Sequence, residues 1–402
     1  MAPKGGPKGI RASEFGMNRK RLLSFDSFVS LVPPKGPQGP LWVVFFFLCA
    51  LCASVANKEM RNFLDMTFEQ VEQAVVATGE KPFRAEQLAD WVYRKGVTDP
   101  SGMSNLPGRL KEQFTFLTSR PIGSAVSTDG AVKLLLELHD GQAIECVLIP
   151  AASRATACLS TQVGCAMGCL FCASGAHGIK RNLSSGEVLE QLLHLWQATG
   201  KRPNNVVFMG MGEPLANYEA TVAAVRAIID PRRLGISARH VTVSTVGLPK
   251  QIRRLAGENM PITLAISLHA PNDALRGQII PNAGKTKLQD ILDAAEEFYR
   301  SRKREVTLEY LLLGGLNDTR LCAEALARIA RRLRCNVNLI RYNPVPALAF
   351  QRPSQAATRA FADRLAKRGV NVNIRLSRGL DAAAACGQLR LQSTVPTSGT
   401  QP

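Results

Sequence analysis

The chain has 402 residues, 46% of them hydrophobic and 6% aromatic, with a formal charge of +18. A chain of that length can bury one large core and a smaller unit, and its ten cysteines are too unevenly spread, in too long a chain, for a small disulfide-stapled secreted scaffold. A reduced compartment is expected. Between residues 318 and 392 fourteen Lys/Arg face four Asp/Glu, among them Arg331, Arg332, Arg334, Arg364, Lys367, Arg368, Arg375 and Arg378. Such a surface suits a polyanion, the plain alternative being a solvated basic helix face.

Residues 1–58 read as an extension apart from the folded protein. They hold a fifteen-residue apolar run, Leu41 to Val55, shorter than the roughly 20 residues that cross a bilayer as a helix. The run could be a signal core, with Ala53-Ser54-Val55-Ala56 loosely like a cleavage site, but the segment before it is too long for an ordinary signal. Met60 or Met66 as the true start is the preferred explanation, a genuine anchor the alternative.

From Asp65 the pattern becomes regular. Helical apolar spacing over Met66–Ala77 and Arg84–Lys95, joined by Leu106–Phe116, predicts a small, mostly helical unit spanning 59–135, a possible RNA-binding accessory. A strand pair at Val132–Leu138 and Ala143–Ile149 leads into Cys158-Leu-Ser-Thr-Gln-Val-Gly-Cys165-Ala-Met-Gly-Cys169-Leu-Phe-Cys172. Cys165, Cys169 and Cys172 are close enough in sequence for one loop to wrap a metal centre. Structural zinc and closed iron–sulfur sites take four protein ligands, so three leave a position open for a substrate or cofactor.

After this loop, short β-branched runs (Ala157–Ser160, Asn205–Met209, His240–Thr245, Ile262–His269, Val306–Leu313, Val337–Tyr342, Val370–Leu376) alternate with amphipathic stretches. The latter are Ser184–Ala198, opened by the capping box Ser184-Ser-Gly-Glu187, then Tyr218–Ile229, Lys287–Arg300, Leu321–Leu333 and Gln355–Lys367. The alternation predicts an α/β fold, a partial or full (β/α) barrel over 136–392, with a disordered tail at 393–402. Barrel chemistry sits at the carboxyl ends of strands, where Cys165, Gly212-Glu213, Ser244, Ser267-Leu268-His269 and Asn343 all fall. Taken singly, each has a bland reading as a tight turn, a turn former or a hydrogen-bonded histidine.

Cys-x3-Cys-x2-Cys after one strand and Gly-Glu after the next resemble the radical S-adenosylmethionine superfamily. Within it CLSTQVGCAMGCLFCASG, IKRNL, GMGEPLAN, SLHAPND, NLIRYNP and ACGQL, running from about Phe63 to about Leu391, resemble the RlmN/Cfr family of RNA adenine methyltransferases. The resemblance implies a radical SAM type barrel in which Cys165, Cys169 and Cys172 hold three irons of a [4Fe-4S] cluster. The fourth iron would bind S-adenosyl-L-methionine, used twice per turnover, with Gly212, Glu213, Ser244, Ser267, Leu268, His269 and Asn343 lining it. Cys386 would carry the methyl group, Cys158 would resolve the RNA adduct by disulfide formation, and Glu145 would accept a proton.

The resemblance further implies methylation at adenine C2 in 23S rRNA and beside the anticodon of some tRNAs. With it go rRNA and tRNA partners, a flavodoxin or ferredoxin as electron donor, a monomer, a cytoplasmic location and no stable membrane association. Alternatives are C8 methylation of the same adenine and, more distantly, a non-catalytic basic RNA- or zinc-binding protein. Ala383 stands where relatives often have Asp, and Pro281–Lys287 is compact, which puts local contacts in doubt. Cys146, Cys322 and Cys335 match no catalytic role and read as small hydrophobes.

If Met60 is the start, a chain begun there will be soluble and as active as the longer one, and the native protein will fractionate with the cytosol; recovery of native enzyme only from membranes contradicts this.

Overall fold

The computed structural model describes residues 60–389 apart from 177, 284, 334 and 347; the apolar run at 41–55, Arg334 and the tail at 393–402 lie outside the described residues. Near the start, β1 (Arg61–Asn62) pairs in parallel with β2 (Phe114–Thr115). Between them come α1 (Phe68–Ala77), α2 (Phe83–Ala89, carried on as a π turn to Arg94) and α3 (Gly108–Lys111). Thr67 and Gln70 form a capping box that starts α1. The helix expected over Leu106–Phe116 is confined to α3. By Phe114 the chain is extended against β1, and Phe114 meets Phe63 edge-on at 5.7 Å between ring centroids.

The rest is built on one ten-stranded sheet. At one end β3 (Arg120–Val126), β4 (Val132–Glu137), β5 (Ala143–Pro150) and β6 (Ala155–Cys158) are antiparallel. From β6 onward every neighbouring pair is parallel: β9 (Asn205–Phe208), β10 (Val241–Thr245), β11 (Thr263–Ser267), β12 (Val306–Leu312), β13 (Asn336–Arg341) and β14 (Val372–Arg375). A small antiparallel hairpin, β7 (Gln162–Gly164) with β8 (Ile179–Asn182), stands apart from it. The crossovers are α4 (Ser185–Thr199), α5 (Tyr218–Ile229), α6 (Pro249–Gly257), α7 (Asp273–Ile279) with α8 (Leu288–Arg302), α9 (Arg320–Leu333) and α10 (Gln355–Ala366).

The expected alternation is therefore present and the barrel is partial: β3 and β14 are the two edges. Central strands are buried on both faces, as in β12, where Leu308 and Tyr310 on one face and Glu309 and Leu311 on the other are all buried, because both sides of a parallel sheet are covered. Several elements lay outside the sequence pattern, among them the β7–β8 hairpin, α7, β3 and α6. Strand β3 contains Pro121 and Gly123 and is largely exposed, the composition of an edge with a register shift between those residues. Helix α6 buries only Ile252, Leu255 and Ala256 and begins at Pro249.

Polar contacts, exposed at the start of the helix and buried further in, join the parts around α4. Its capping box is closed in both directions, Ser184 to Glu187. Asp65 accepts from the Ser185 hydroxyl (2.9 Å) and from the Gly186 amide, so the first residues of the domain cap this helix from outside. Deeper in the helix Glu190, fully buried, accepts from Thr118 and Ser119, and the Ser119 hydroxyl lies 3.0 Å from His194 Nε2. Burial pushes His194 down to about 4, a hydrogen bond from Ser119 opposing only in part.

A histidine held neutral in the fold but titrating normally in the unfolded chain removes stability as pH falls from about 6.5 through 4, where the unfolded chain binds the extra proton. The expected outcome is an acid slope in urea unfolding that is shallower in His194→Gln across that window; an unchanged slope rules out this origin.

Candidate active site

The cysteine loop is closed at its base by the β7–β8 hairpin. Cys165 N donates to Gly178 O (3.0 Å), and Gly164 sits at φ +79° where a Cβ would fall 2.0 Å from that same oxygen. Its far side is tied to α7 through Leu170 N to Ile279 O (3.0 Å) and to the chain end through Ala173 N to Gly387 O (2.8 Å). Cys165, Cys169 and Cys172 are unpaired and line one cleft holding about 880 Å³ of empty space. Burial pushes Cys165 up to about 11 and Cys169 and Cys172 upward as well. A cation entering among them must displace protons, which ties metal loading to pH.

Across the same cleft the turn after β9 aims Glu213 inward. Gly212 takes φ +101°, where a Cβ would meet Gln162 at 2.7 Å, and Glu213 N donates to Gln162 Oε1 (2.9 Å). The buried carboxylate accepts from Leu215 N (3.0 Å) and Val246 N (2.7 Å), while burial raises its pKa. Ser244 and Ser267, at the ends of β10 and β11, face each other at 3.2 Å between hydroxyls. His269 follows in a left-handed conformation (φ +57°); its Nδ1 accepts from Leu311 N (3.0 Å) and burial holds the ring neutral, at about 3. It is the hydrogen-bonded histidine of the bland reading, and it also lines the cleft.

Arg276, only 1% exposed, was not singled out by sequence. Its guanidinium donates to Val246 O and Ala283 O, it lies within electrostatic reach of Cys169 and Glu213, and its Nε finds no partner. A buried cation within electrostatic reach of Cys169 favours negative charge on that thiol.

Cys386 lies in the wall between this cleft and a second one, lined also by Cys158, Arg375, Arg154 and Asn343 and holding about 1300 Å³ of empty space. Asn343 belongs to the second cleft, where Nδ2 donates to Cys386 O (3.0 Å) and Oδ1 accepts from Ser377 Oγ (2.7 Å). Cys158, buried at the end of β6, is pushed up to about 12 by burial and the Cys386 thiol, with Arg375 opposing. Arg375 meets Glu309 at 3.3 Å, a carboxylate that lines the first cleft. Glu145 is buried and its carboxylate meets Lys133 Nζ at 2.8 Å. Leu268 is fully buried and donates its amide to Glu309 O (3.0 Å). Of the leftover cysteines, Cys146 and Cys335 are buried and Cys322 is half-buried.

Among the described residues no three His, Cys, Asp or Glu side chains converge closely enough to hold one metal ion. A lone zinc demands such convergence; a four-iron cluster does not, because each thiolate meets a different iron. Three thiols on one loop, a facing carboxylate and an open wall suit a thiolate-held cluster with one coordination position left free. Residues 159–326 match the Radical SAM superfamily and residues 61–118 the ribosomal RNA large subunit methyltransferase N-terminal domain. A probable dual-specificity RNA methyltransferase RlmN of Rhodopirellula baltica is 42% identical over 335 residues, 82% of this chain and 90% of that protein. One of Geobacillus kaustophilus is 43% identical over 336 residues, covering 82% and 92%. A radical SAM methyltransferase from Sphaerobacter thermophilus, known by crystal structure, superposes with a TM-score of 0.80 at 40% identity, over 83% of this chain and all of that one. The chain belongs to the RlmN family of radical SAM RNA methyltransferases, whose cofactors are a [4Fe-4S] cluster and S-adenosylmethionine.

Sequence therefore named most of the cleft wall. It missed Arg276, Glu309, Arg375 and Lys133, which become partners only through the fold. Part of the basic stretch is also neutralised: Arg320 and Arg368 pair with Glu324, and Arg332 with Asp293. Arg154 and Arg378 at the second cleft are exposed.

Replacing Cys165, Cys169 or Cys172 by Ala is expected to abolish the brown colour of anaerobically reconstituted protein while its thermal unfolding stays cooperative; a single variant with full iron and sulfide content removes that cysteine from the ligand set. Gly212→Ala, whose Cβ collides with Gln162, should weaken S-adenosylmethionine binding by on the order of tenfold or more in equilibrium dialysis.

Proposed function

We propose that the protein methylates C2 of an adenine in the peptidyl-transferase loop of 23S rRNA, and the adenine beside the anticodon of some tRNAs, through a covalent RNA–Cys386 intermediate. The observation that carries this reading is the place of Cys386: one thiol in the wall of two clefts, with three unpaired thiols on one side and Cys158 on the other. The dual specificity named for the relatives supports both RNA classes.

C2 of adenine is an electron-poor sp² carbon, so direct attack on a methylsulfonium has almost no driving force and a radical route is needed. Cys386 takes a methyl group from one S-adenosylmethionine, with loss of the thiol proton. The cluster, when bound, supplies the electron that cleaves a second S-adenosylmethionine to a deoxyadenosyl radical and takes one back from the adduct. S-methyl Cys386 gives up a hydrogen atom, its methylene carbon bonds C2, and Glu145 receives the C2 proton. Cys158, once deprotonated, attacks the Cys386 sulfur; the carbon–sulfur bond breaks, its electrons stay with the methylene, which is protonated to methyl, and the disulfide is reduced by external thiol before the next turnover. Gly212, Glu213, Ser244, Ser267, Leu268 and His269 shape the cofactor cleft in this scheme, and Asn343 fixes the Cys386 backbone.

The RNA-binding accessory expected at 59–135 is assigned to the part that precedes β3, and the catalytic core expected at 136–392 is extended back to begin with that strand, since β3 and β4 belong to the main sheet. A flavodoxin or ferredoxin as reductant, action as a monomer and a cytoplasmic location complete the reading. Among the described residues no helix is long and apolar enough to cross a membrane.

Nucleoside mass spectrometry of rRNA and tRNA from a deletion strain tests the product, and 8-methyladenosine in place of the 2-methyl isomer assigns the C8 reaction instead. The intermediate has its own test. Cys158→Ala should retain protein covalently joined to RNA, Cys386→Ala should give neither adduct nor product, and the double variant should behave like Cys386→Ala. Free methylated RNA at the normal rate from Cys158→Ala sinks the two-cysteine route.

A further inference from the structure

Strand register places three chemically distinct side chains on one face. Val147 in β5 lies opposite both Lys133 in β4 and Cys158 in β6, and Glu145 stands two residues back along β5. Opposed residues share a face, and so do residues two apart. Lys133, Glu145 and Cys158 therefore project from the same side of three adjacent strands. That side is covered by the segment carrying Cys386. The β3–β4 turn grips this segment through Asp381, which accepts from the Ser127 hydroxyl and from Thr128 N (2.9 Å), and through Asp129, which accepts from Gly379 N (2.9 Å). Further along, Lys133 Nζ donates to the carbonyl of Ala383, a residue in the left-handed conformation (φ +48°).

Lys133 thus bonds two things at once: Glu145 Oε1 at 2.8 Å and the Ala383 carbonyl at 3.2 Å. The pair is deep, with the two side chains 13% and 2% exposed. An ion pair at that depth is weak as a stability device, because desolvation offsets most of its attraction. It does fix geometry.

We propose that Lys133 is a positioning residue for release of the RNA adduct: it ties the Glu145 carboxylate to the loop of Cys386, so that the base is held toward the adenine C2 that the methylene joins to that sulfur. The inference rests on the two-cysteine reading above. In the step it serves, the proton leaves C2 and ends on a Glu145 oxygen, and Lys133 stays an ammonium throughout.

The test follows the protein–RNA adduct on denaturing gels in anaerobic single turnover with a 23S rRNA fragment, using full-length reconstituted enzyme. Lys133→Met should still acquire S-methyl Cys386 and form adduct, yet release it on the order of 100-fold more slowly, the scale of a misplaced catalytic group. Lys133→Gln, which keeps a donor without the charge, serves as the second variant should the methionine protein not fold, and is expected to be similarly slow. Lys133→Arg should recover most of the rate, which a purely packing role would not produce. Release at the wild-type rate by the Met or Gln variant overturns the inference, as does an Arg variant no faster than Met. Cys158→Ala run alongside separates the two ideas: if it fails to hold adduct the two-cysteine reading falls, whereas if it holds adduct and the Lys133 variants release normally only the role of Lys133 falls.

Discussion

Everything at the reaction centre depends on how the segment around Cys386 is held. On one side its backbone is bonded to the cysteine loop, through Gly387 O to Ala173 N and Leu389 O to Ser174 Oγ. On the other it is gripped by the β3–β4 turn and Lys133. On the proposed two-cysteine route the Cys386 thiol meets first a cofactor and then a second thiol, which a place shared between the clefts serves and a place deep in either would not. Anchoring the backbone from both sides leaves the side chain in the shared wall, which places both partners within reach of small rotations rather than a loop rearrangement.

The partial barrel follows from the same need. A closed barrel fills its interior with side chains and admits only small ligands at its mouth. Here the sheet stops at β14, and the second cleft lies between that edge and the β5–β6 end of the sheet, its wall carrying the exposed Arg154 and Arg378. On the proposed reading this open edge leaves room for an unstacked base of the RNA and the exposed arginines would meet its phosphates. The antiparallel strands β3–β5 extend the sheet on the far side and supply Lys133 and Glu145, so the extension contributes chemistry as well as an edge.

Electrostatics divides the two clefts. In the first, buried Glu213 faces the thiols at low dielectric, with the buried Arg276 within electrostatic reach of both Glu213 and Cys169. In the second, Arg375 lies near both Cys158 and Cys386 and is balanced by Glu309, which itself lines the first cleft. That ion pair spans the wall, so charge in one cleft is felt in the other.

The sequence by itself determined the parts whose signal is local. Cys165, Cys169 and Cys172 are three cysteines on one loop; Gly212-Glu213, Ser244, Ser267 and His269 follow strands whose β-branched runs and intervening amphipathic helices are legible by period; and the α4 capping box was read to the residue. Edge strand β3, helix α6 and the loss of helix after α3 were not legible, because Pro121, a short apolar stripe and a tertiary pairing with β1 override local propensity. Only the tertiary structure decided that Asn343 belongs to the second cleft, that Leu268 sits behind the first, that Arg276 lies beside Cys169, and that Lys133 joins Glu145 to the Cys386 loop across 250 residues of sequence. Those are contacts between elements distant along the chain, set by register and by which sheet edge the last segment covers, and no spacing of residue types along a sequence encodes them.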